Sequence, residues 1–448
     1  MQQIQSTWRP RALAVCVAST LLVGCATYAP APLPTFSPLT TSVGQLKGAP
    51  LDGHTLDSAT VARLVLLNNP ELRAARAEYK VAQAQMLQAG LLPNPALSAS
   101  AGYLLSGVGN ATAWTAGISE DIRSLVTLSS RRQAAKAGAE AVNASLLWQE
   151  WQTVGKAQLL LVDLVQGAQL VALQSGTLKQ LDARDRELRL SIAEGNTGLA
   201  AASPDFVAAA DARSAFDDLQ RQLLSQRHDF AALLGLAPDA ELPLPATLGL
   251  PADGIDALRI SARGIEHRRP DLIALQLGYH AQESTLRAEV LAQFPVLSLG
   301  VAAAQDNSRV RSGGPAITFD LPIFDRNQGN IAIATATRLQ LRDEYAARLT
   351  SAHGQIDALL AEQAQARAQL AALMPTLAPA RQDAAEATSA QAQGLIDLRT
   401  YVDLLVAAQS RQAAAIVLKR TVLEQQIALD TLLGTGLPDS LPQDLIAP

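Results

Sequence analysis

"LPIFDRNQGNI", residues Leu321 to Ile331, joins two kinds of chain. Upstream, Ile317, Phe319, Leu321 and Ile323 alternate with Thr318, Asp320 and Pro322, the two-residue period of a strand. Within a few residues the sequence turns polar, and from Gln328 an alanine-rich run begins that reaches Gln393. A tilted strand of about ten residues crosses a bilayer, whereas a helix of this run extends roughly 100 Å. On this reading Pro322 ends regular pairing at the rim of a sheet. Asp325 or Asn327 caps the long helix, and Gly329 lets the chain swing from strand to helix.

Outward from this junction the chain repeats itself at a spacing of about 200 residues, far beyond solenoid periods. "NNPELRAAR" (68–76) returns as "RRPDLIALQ" (268–276), "LLPNPALSAS" (91–100) as "AQFPVLSLGV" (292–301), and "LLGLAP" (233–238) as "LLGTGLP" (432–438). The order is kept, which indicates a duplication. The first repeat spans 56–237 and the second 256–436, with a Pro- and Gly-rich linker at 238–255. Each half reads as a short helix, a proline-initiated helix, two strands, a very long helix and a return helix. The strands fall at about 96–105 and 111–121, then 296–304 and 316–323. The long helices fall at about 129–194 and 204–234, then 328–393 and 398–433. Gly176 in the first long run and Pro375 and Pro379 in the second predict a kink or waist.

The strands have two faces. Leu97, Ala99, Ala101 and Tyr103 oppose Ser98, Ser100 and Gly102; Leu297, Leu299, Val301 and Ala303 oppose Ser298, Gly300 and Ala302. One apolar and one polar or small face fits a barrel wall between lipid and water. Four strands cannot close a barrel, and open edges in lipid leave backbone groups unpaired at several kcal/mol each. The half-buried sheet of a soluble domain is the alternative reading of the same pattern; if the strands span a bilayer, several chains must share one barrel.

The N-terminus has Arg9 and Arg11 before an apolar run from Ala12 to Val23, a secretory signal too short to span as a mature helix. Leu22-Val23-Gly24-Cys25 resembles the bacterial lipoprotein box, which implies removal of 1–24 and lipidation of Cys25. Ala26 follows instead of aspartate, so the resemblance implies the outer membrane. A lipidated, Pro-rich tether then covers 25–55, and a C-terminal tail covers 437–448.

The 448 residues carry a net charge of -5 and only 4% aromatics, against a nucleic-acid partner and against several compact cores. Five histidines lie apart from other ligand types at metal-binding spacing, and no nucleophile, phosphate-loop or zinc-protease motif occurs. Neither catalytic residues nor a cofactor are expected beyond the covalent lipid.

"NNPELRAARAEY", "LLPNP", the halved layout, Glu194-Gly195, Gln393-Gly394 and "LLGL" together resemble the outer-membrane efflux protein family, the TolC-like channel-tunnels. The resemblance implies a mainly α protein with a small β part. It implies a homotrimer with a shared twelve-stranded outer-membrane barrel and a periplasmic α-helical tunnel, docked on a periplasmic adaptor and an inner-membrane pump of the resistance-nodulation-division (RND) type in a Gram-negative bacterium. By the same resemblance Gly195, Gly198, Leu199, Gly394, Leu395 and Leu398 form the adaptor-docking tips. Asp397, Arg399, Tyr401 and Asp403, with Asp205 and Asp211 in the first half, are the gate candidates. "GLAAAS" reads as an insertion after the first tip. "FDRNQGNI" resembles the junction of heavy-metal efflux channels, pointing to metal cations as cargo; organic drugs or secreted proteins are the alternatives on the same fold. A coiled-coil structural lipoprotein accounts for the helices and the anchor but not for the paired amphipathic strands.

Overall fold

The structure, a computed structural model, describes residues 28–36, 39–49, 55–251 and 254–435. The leader, Cys25 and the tail 437–448 lie outside the described residues. Residues 28–36 belong to a separate N-terminal unit; they carry no helix or strand and expose Tyr28, Leu33 and Phe36.

The rest of the chain opens with a short strand, β1 (Thr40–Ser42), and a 3₁₀ turn at Val43–Gln45. Helices α1 (Ser58–Asn68) and α2 (Pro70–Ala89) lead into strands β2 (Ala96–Gly102) and β3 (Ala113–Asp121). The long helix α3 (Ile122–Ala193) descends and α4 (Leu199–Leu234) returns, ending in β4 (Leu236–Glu241). The same order then recurs: α5 (Ile255–Ser261), α6 (Pro270–Leu291), β5 (Leu297–Gln305), β6 (Arg311–Phe319), α7 (Gln328–Ala392) and α8 (Leu398–Leu433). At 72 and 65 residues, α3 and α7 extend roughly 100 Å, and the two return helices are both 36 residues long.

Local chemistry sets several boundaries. Pro70 and Pro270 occupy the first turns of α2 and α6, where the missing N–H costs nothing. Asn69 caps α2, its Oδ1 accepting from Leu72 N at 2.9 Å, while its Nδ2 donates to Leu233 O at 2.9 Å and ties the cap to α4. At the equivalent position Arg269 caps nothing; it is buried, doubly bonded to Asp271, and lies over the Trp148 ring of α3 at 4.8 Å. The duplicated motif thus holds one repeat internally and the other to its neighbour.

Two apolar clusters surround the ends of the return helices. Leu64 and Leu66 of α1, Val154 and Leu161 of α3, and Phe230 of α4 form one. Ile265, Leu272, Ile356, Leu360, Leu429 and Leu433 form the other. The helix α3 contains a stretch long and apolar enough to cross a membrane by composition, yet residues such as Val154, Leu161 and Val165 in α3 are buried against protein.

Four expectations are corrected. The fourth strand is Arg311–Phe319, not 316–323; β5 begins at Leu297, and beyond Phe319 one bond from Asp320 N to Val296 O continues the pairing. Pro315 is accommodated because β6 is an edge strand. The first long helix starts at Ile122, seven residues before 129, because Asp121 Oδ1 accepts from Arg123 N and starts the helix at the last strand residue. Pro375 and Pro379 do not interrupt α7, nor Gly176 α3; both prolines are exposed, where the carbonyls they leave without a donor meet solvent. The linker opens with β4, which pairs in parallel with β1; the polar, proline-containing "LAPDAE" gives no period-two signal of its own.

Candidate functional site

Strands β2, β3, β5 and β6 form one antiparallel sheet in that order. The pairing places Leu97, Ile118, Val301 and Pro315 in one row and Leu299 beside Ile317 in the next, all on one face. Leu97 is 79% exposed and Ile317 65%, so nothing among the described residues covers this apolar face. Its far end becomes polar, with Trp114, Gln305 and Arg311 in register and Arg311 Nε donating to Gln305 Oε1. Glu120 closes the near end, next to α3. The opposite face carries Ser98, Ser100, Thr115 and Ser312, and the Ser100 and Thr115 hydroxyls lie 2.7 Å apart. Among the described residues β2 and β6 each keep one unpaired edge.

At the opening junction, the positions of the four predicted residues differ from the roles expected. Regular pairing ends at Phe319, before Pro322. Neither Asp325 nor Asn327 caps α7: Asp325 Oδ1 accepts from Asn327 N, and Asn327 stands at the N-cap position without a side-chain cap bond. Gly329 lies inside the helix, and the swing is made by Asn327, whose φ is 64°. Asn327 Nδ2 donates to Glu289 O and Oε2 at 2.9 and 2.6 Å, which anchors the turn to α6. Asparagine tolerates the left-handed region better than most residues, and that preference was the available signal.

At the other end, the two helix-to-helix turns have the same construction. Gly195 N bonds Ile192 O and Asn196 N bonds Ser191 O; Gly394 N bonds Gln391 O and Leu395 N bonds Ala390 O. Both glycines have positive φ, 75° and 71°, as this C-cap requires. Each turn has five residues, Glu194–Gly198 and Gln393–Asp397, so "GLAAAS" is no insertion; from Leu199 it is the start of α4. Gly198 is the N-cap of α4 and Asp397 that of α8. Leu199 and Leu395 are exposed; the side chain of Leu398 lies outside the described residues.

The gate candidates do not form one constellation. Asp397 Oδ1 accepts from Thr400 N at 2.6 Å, and this bond, aided by Arg184, holds its carboxyl below the usual range. Arg399 and Asp403 form an exposed pair at 3.9 Å, a contact of little energetic weight. Tyr401 packs on Leu181, Ala209 and Val402. Asp211 is exposed. Asp205 is half-buried and bonds Arg184 Nη2 at 2.8 Å.

Arg184 escaped the sequence reading. It sits in the charged run "LDARDRELR" (181–189), where nothing separates it from its solvated neighbours. In the structure its side chain is 5% exposed, its Nε and Nη1 have no hydrogen-bond partner among the described residues, and it acts on both Asp205 and Asp397. The first hairpin gains a second tie from Arg213 to Asp182, and Arg189 lies over the Phe206 ring at 4.6 Å. The second hairpin packs instead through Ala380, Ala384 and Ala408. One tip is held by charge and the other by small residues.

Midway along the wall, Asp163 of α3 meets Arg420 of α8 at 2.7 Å, and Arg420 also bonds Glu424 at 2.6 Å. Gln226 of α4 donates to the other Asp163 oxygen at 2.8 Å. Burial, and then the Glu424 carboxylate, push the Asp163 carboxyl up to about 7 against the pull of Arg420. In the fold Asp163 therefore keeps a proton that it loses near pH 4 when unfolded. Stability falls as pH rises from about 4 through about 7, since the native state binds the extra proton in that window. Asp163→Asn should flatten this slope and melt higher than wild type at pH 8, with the two converging near pH 4. Thermal melts at both pH values check this, and an unchanged slope in the variant refutes it.

The sheet, with one uncovered apolar face, leads into helices of roughly 100 Å. The chain has the fold of solved outer-membrane channels. It resembles CusC, whose structures concern folding and transmembrane channel formation, with a TM-score of 0.66 and 20% identity over 92% of this chain and 100% of that one. VceC, an outer membrane protein of Vibrio cholerae, gives 0.67 and 19% over 85% and 97%. The open MtrE outer membrane channel of Neisseria gonorrhoeae gives 0.66 and 17% over 92% and 99%. No curated protein matches the chain. Residues 264–435 match the family model described as outer membrane efflux protein.

Proposed function

We propose that the chain is the outer-membrane channel subunit of a tripartite efflux system. Three copies complete a twelve-stranded barrel, and their helices form a passive conduit through the periplasm. A periplasmic adaptor engages the tips, where Leu199 and Leu395 offer exposed apolar contacts, and an inner-membrane RND-type pump supplies the energy. The observation that carries this reading is the sheet: four strands with an uncovered apolar face and two open edges, feeding directly into α3 and α7. In lipid those edges require partners, and other copies of the chain supply them. Lipidation at Cys25 anchors the subunit to the outer membrane of a Gram-negative cell.

Purified mature protein should conduct in planar bilayers and run as a trimer. A monomer without conductance refutes the proposal and leaves the spacer lipoprotein. For cargo, the resemblance of "FDRNQGNI" favours heavy-metal cations. A deletion strain should lose tolerance to cobalt, zinc, cadmium, copper or silver; unchanged tolerance to all five with new sensitivity to organic drugs assigns the other cargo.

A further inference from the structure

A groove of about 820 Å³ runs between α3, α7 and α8 beneath the linker. Its volume falls in the range of small-molecule sites. Leu173, Leu370, Leu377 and Ile416 contribute to an apolar lining, and Leu250 and Pro251 of the linker line one side. The linker is fixed there by Gln169, whose Nε2 donates to Ala246 O at 2.8 Å.

Charge in the groove has one sign. Arg367, Arg381 and Lys419 line it, and no aspartate or glutamate does among the described residues. Arg367 and Arg381 are fourteen positions apart on α7, which sets them about 20 Å from each other along the groove. Arg367 Nη2 reaches only Gln426 Oε1, at 3.4 Å, and its Nε is buried without a hydrogen-bond partner in the described chain. Arg367 has no carboxylate partner in the groove lining among the described residues, and an anionic group at this end of the groove would supply the counter-charge. Arg367 and Lys419 would hold that group, and the stripe of Leu370, Met374 and Leu377 would take an extended apolar body.

We infer that this groove binds a single-chain anionic amphiphile, of the long-chain carboxylate class. The inference stands on the groove alone and is independent of channel activity.

The test uses the full chain in amphipol with 11-(dansylamino)undecanoate as fluorescent probe and dodecanoate as competitor. One saturable site per chain is expected, displaced by dodecanoate at least tenfold more effectively than by dodecanol or dodecyltrimethylammonium. Lys419→Glu should weaken the probe about tenfold, and Met374→Trp should abolish the site by filling the groove. Arg411→Glu, an exposed change on α8 outside the lining, should do neither. Equal melting temperatures of the three variants separate site loss from unfolding. Equal displacement by dodecanol, or full binding by Lys419→Glu, overturns the inference by reducing the groove to a non-selective apolar surface. Binding that appears only after removal of residues 437–448, or only below the concentration at which chains associate, also overturns it; the occupant is then the chain's own tail or a second copy.

Discussion

Gly300→Ala should prevent the sheet from forming, the largest effect expected of any single methyl in this protein. Gly300 lies opposite Ser119 on β3 and Ala316 on β6, on the small-residue face. A Cβ there would stand 2.2 Å from Ile118 O and 2.9 Å from Ser119 Cα. Backbone cannot move aside as a flexible side chain does, so the strands must separate or shift register. The contact lies on the β3–β5 seam, which is where the first repeat's strands meet the second's. Overpacking costs about 1–3 kcal/mol in a core that can adjust, and a seam of paired backbone adjusts less. A loss of at least about 3 kcal/mol is expected. The matched control is Gly314→Ala, on the same face of β6, where an added Cβ meets nothing within 4 Å. The control should fold into membranes at wild-type yield while Gly300→Ala stays unfolded, as read by heat-modifiable migration in electrophoresis. Equal yields for the two variants would falsify the assigned register.

Asp205→Ala should loosen the first hairpin. The change leaves the Arg184 guanidinium inside α3 and α4 with two nitrogens already unpartnered and its carboxylate gone. Breaking a buried pair from one side costs about 3–5 kcal/mol, because the remaining charge stays desolvated. The cost falls on the last turns of α3 and the first of α4, next to the tip. Amide exchange should rise there, across roughly residues 181–209, with the clusters around Phe230 and Leu429 unaffected. If three copies assemble as proposed and gate at their tips, single-channel conductance rises with it. Arg184→Met combined with Asp205→Leu removes both charges and should recover most of the protection. Protection lost equally in the double variant means the site is held by packing and not by the pair. Asp403→Ala, which breaks only the exposed pair with Arg399, should change exchange little.

The two experiments probe features of different legibility. The return helix Leu398–Leu433 and the long helix from Gln328 to Ala392 matched their sequence readings almost to the residue. Their limits are local: a left-handed glycine after the last turn of each, the Asp397 cap before α8 and the left-handed Asn327 before α7. The two faces of β2 and β5 were legible too, since side-chain alternation is a property of each strand alone, but the limits of β6 were not. The candidate gate was not. Asp205 and Asp397 look alike in the sequence, yet one is a half-buried ion-pair partner and the other an exposed helix cap.

Sequence by itself determined the element types, their duplicated order and the junction of a membrane-length strand with a helix of roughly 100 Å. It did so because periodicity and punctuation act over a few residues. Only the tertiary structure decided that "RSGGP" joins the sheet while Leu321 and Ile323 leave it, since β5 sets where pairing is available. It alone paired Asp163 with Arg420 across some 250 residues of sequence and withdrew Arg184 from its charged run into the wall. Strand register and buried charge depend on what lies opposite. For "LPIFDRNQGNI" the consequence is specific: the turn from sheet to helix rests on Asn327 in the left-handed region, held by Glu289 of another helix.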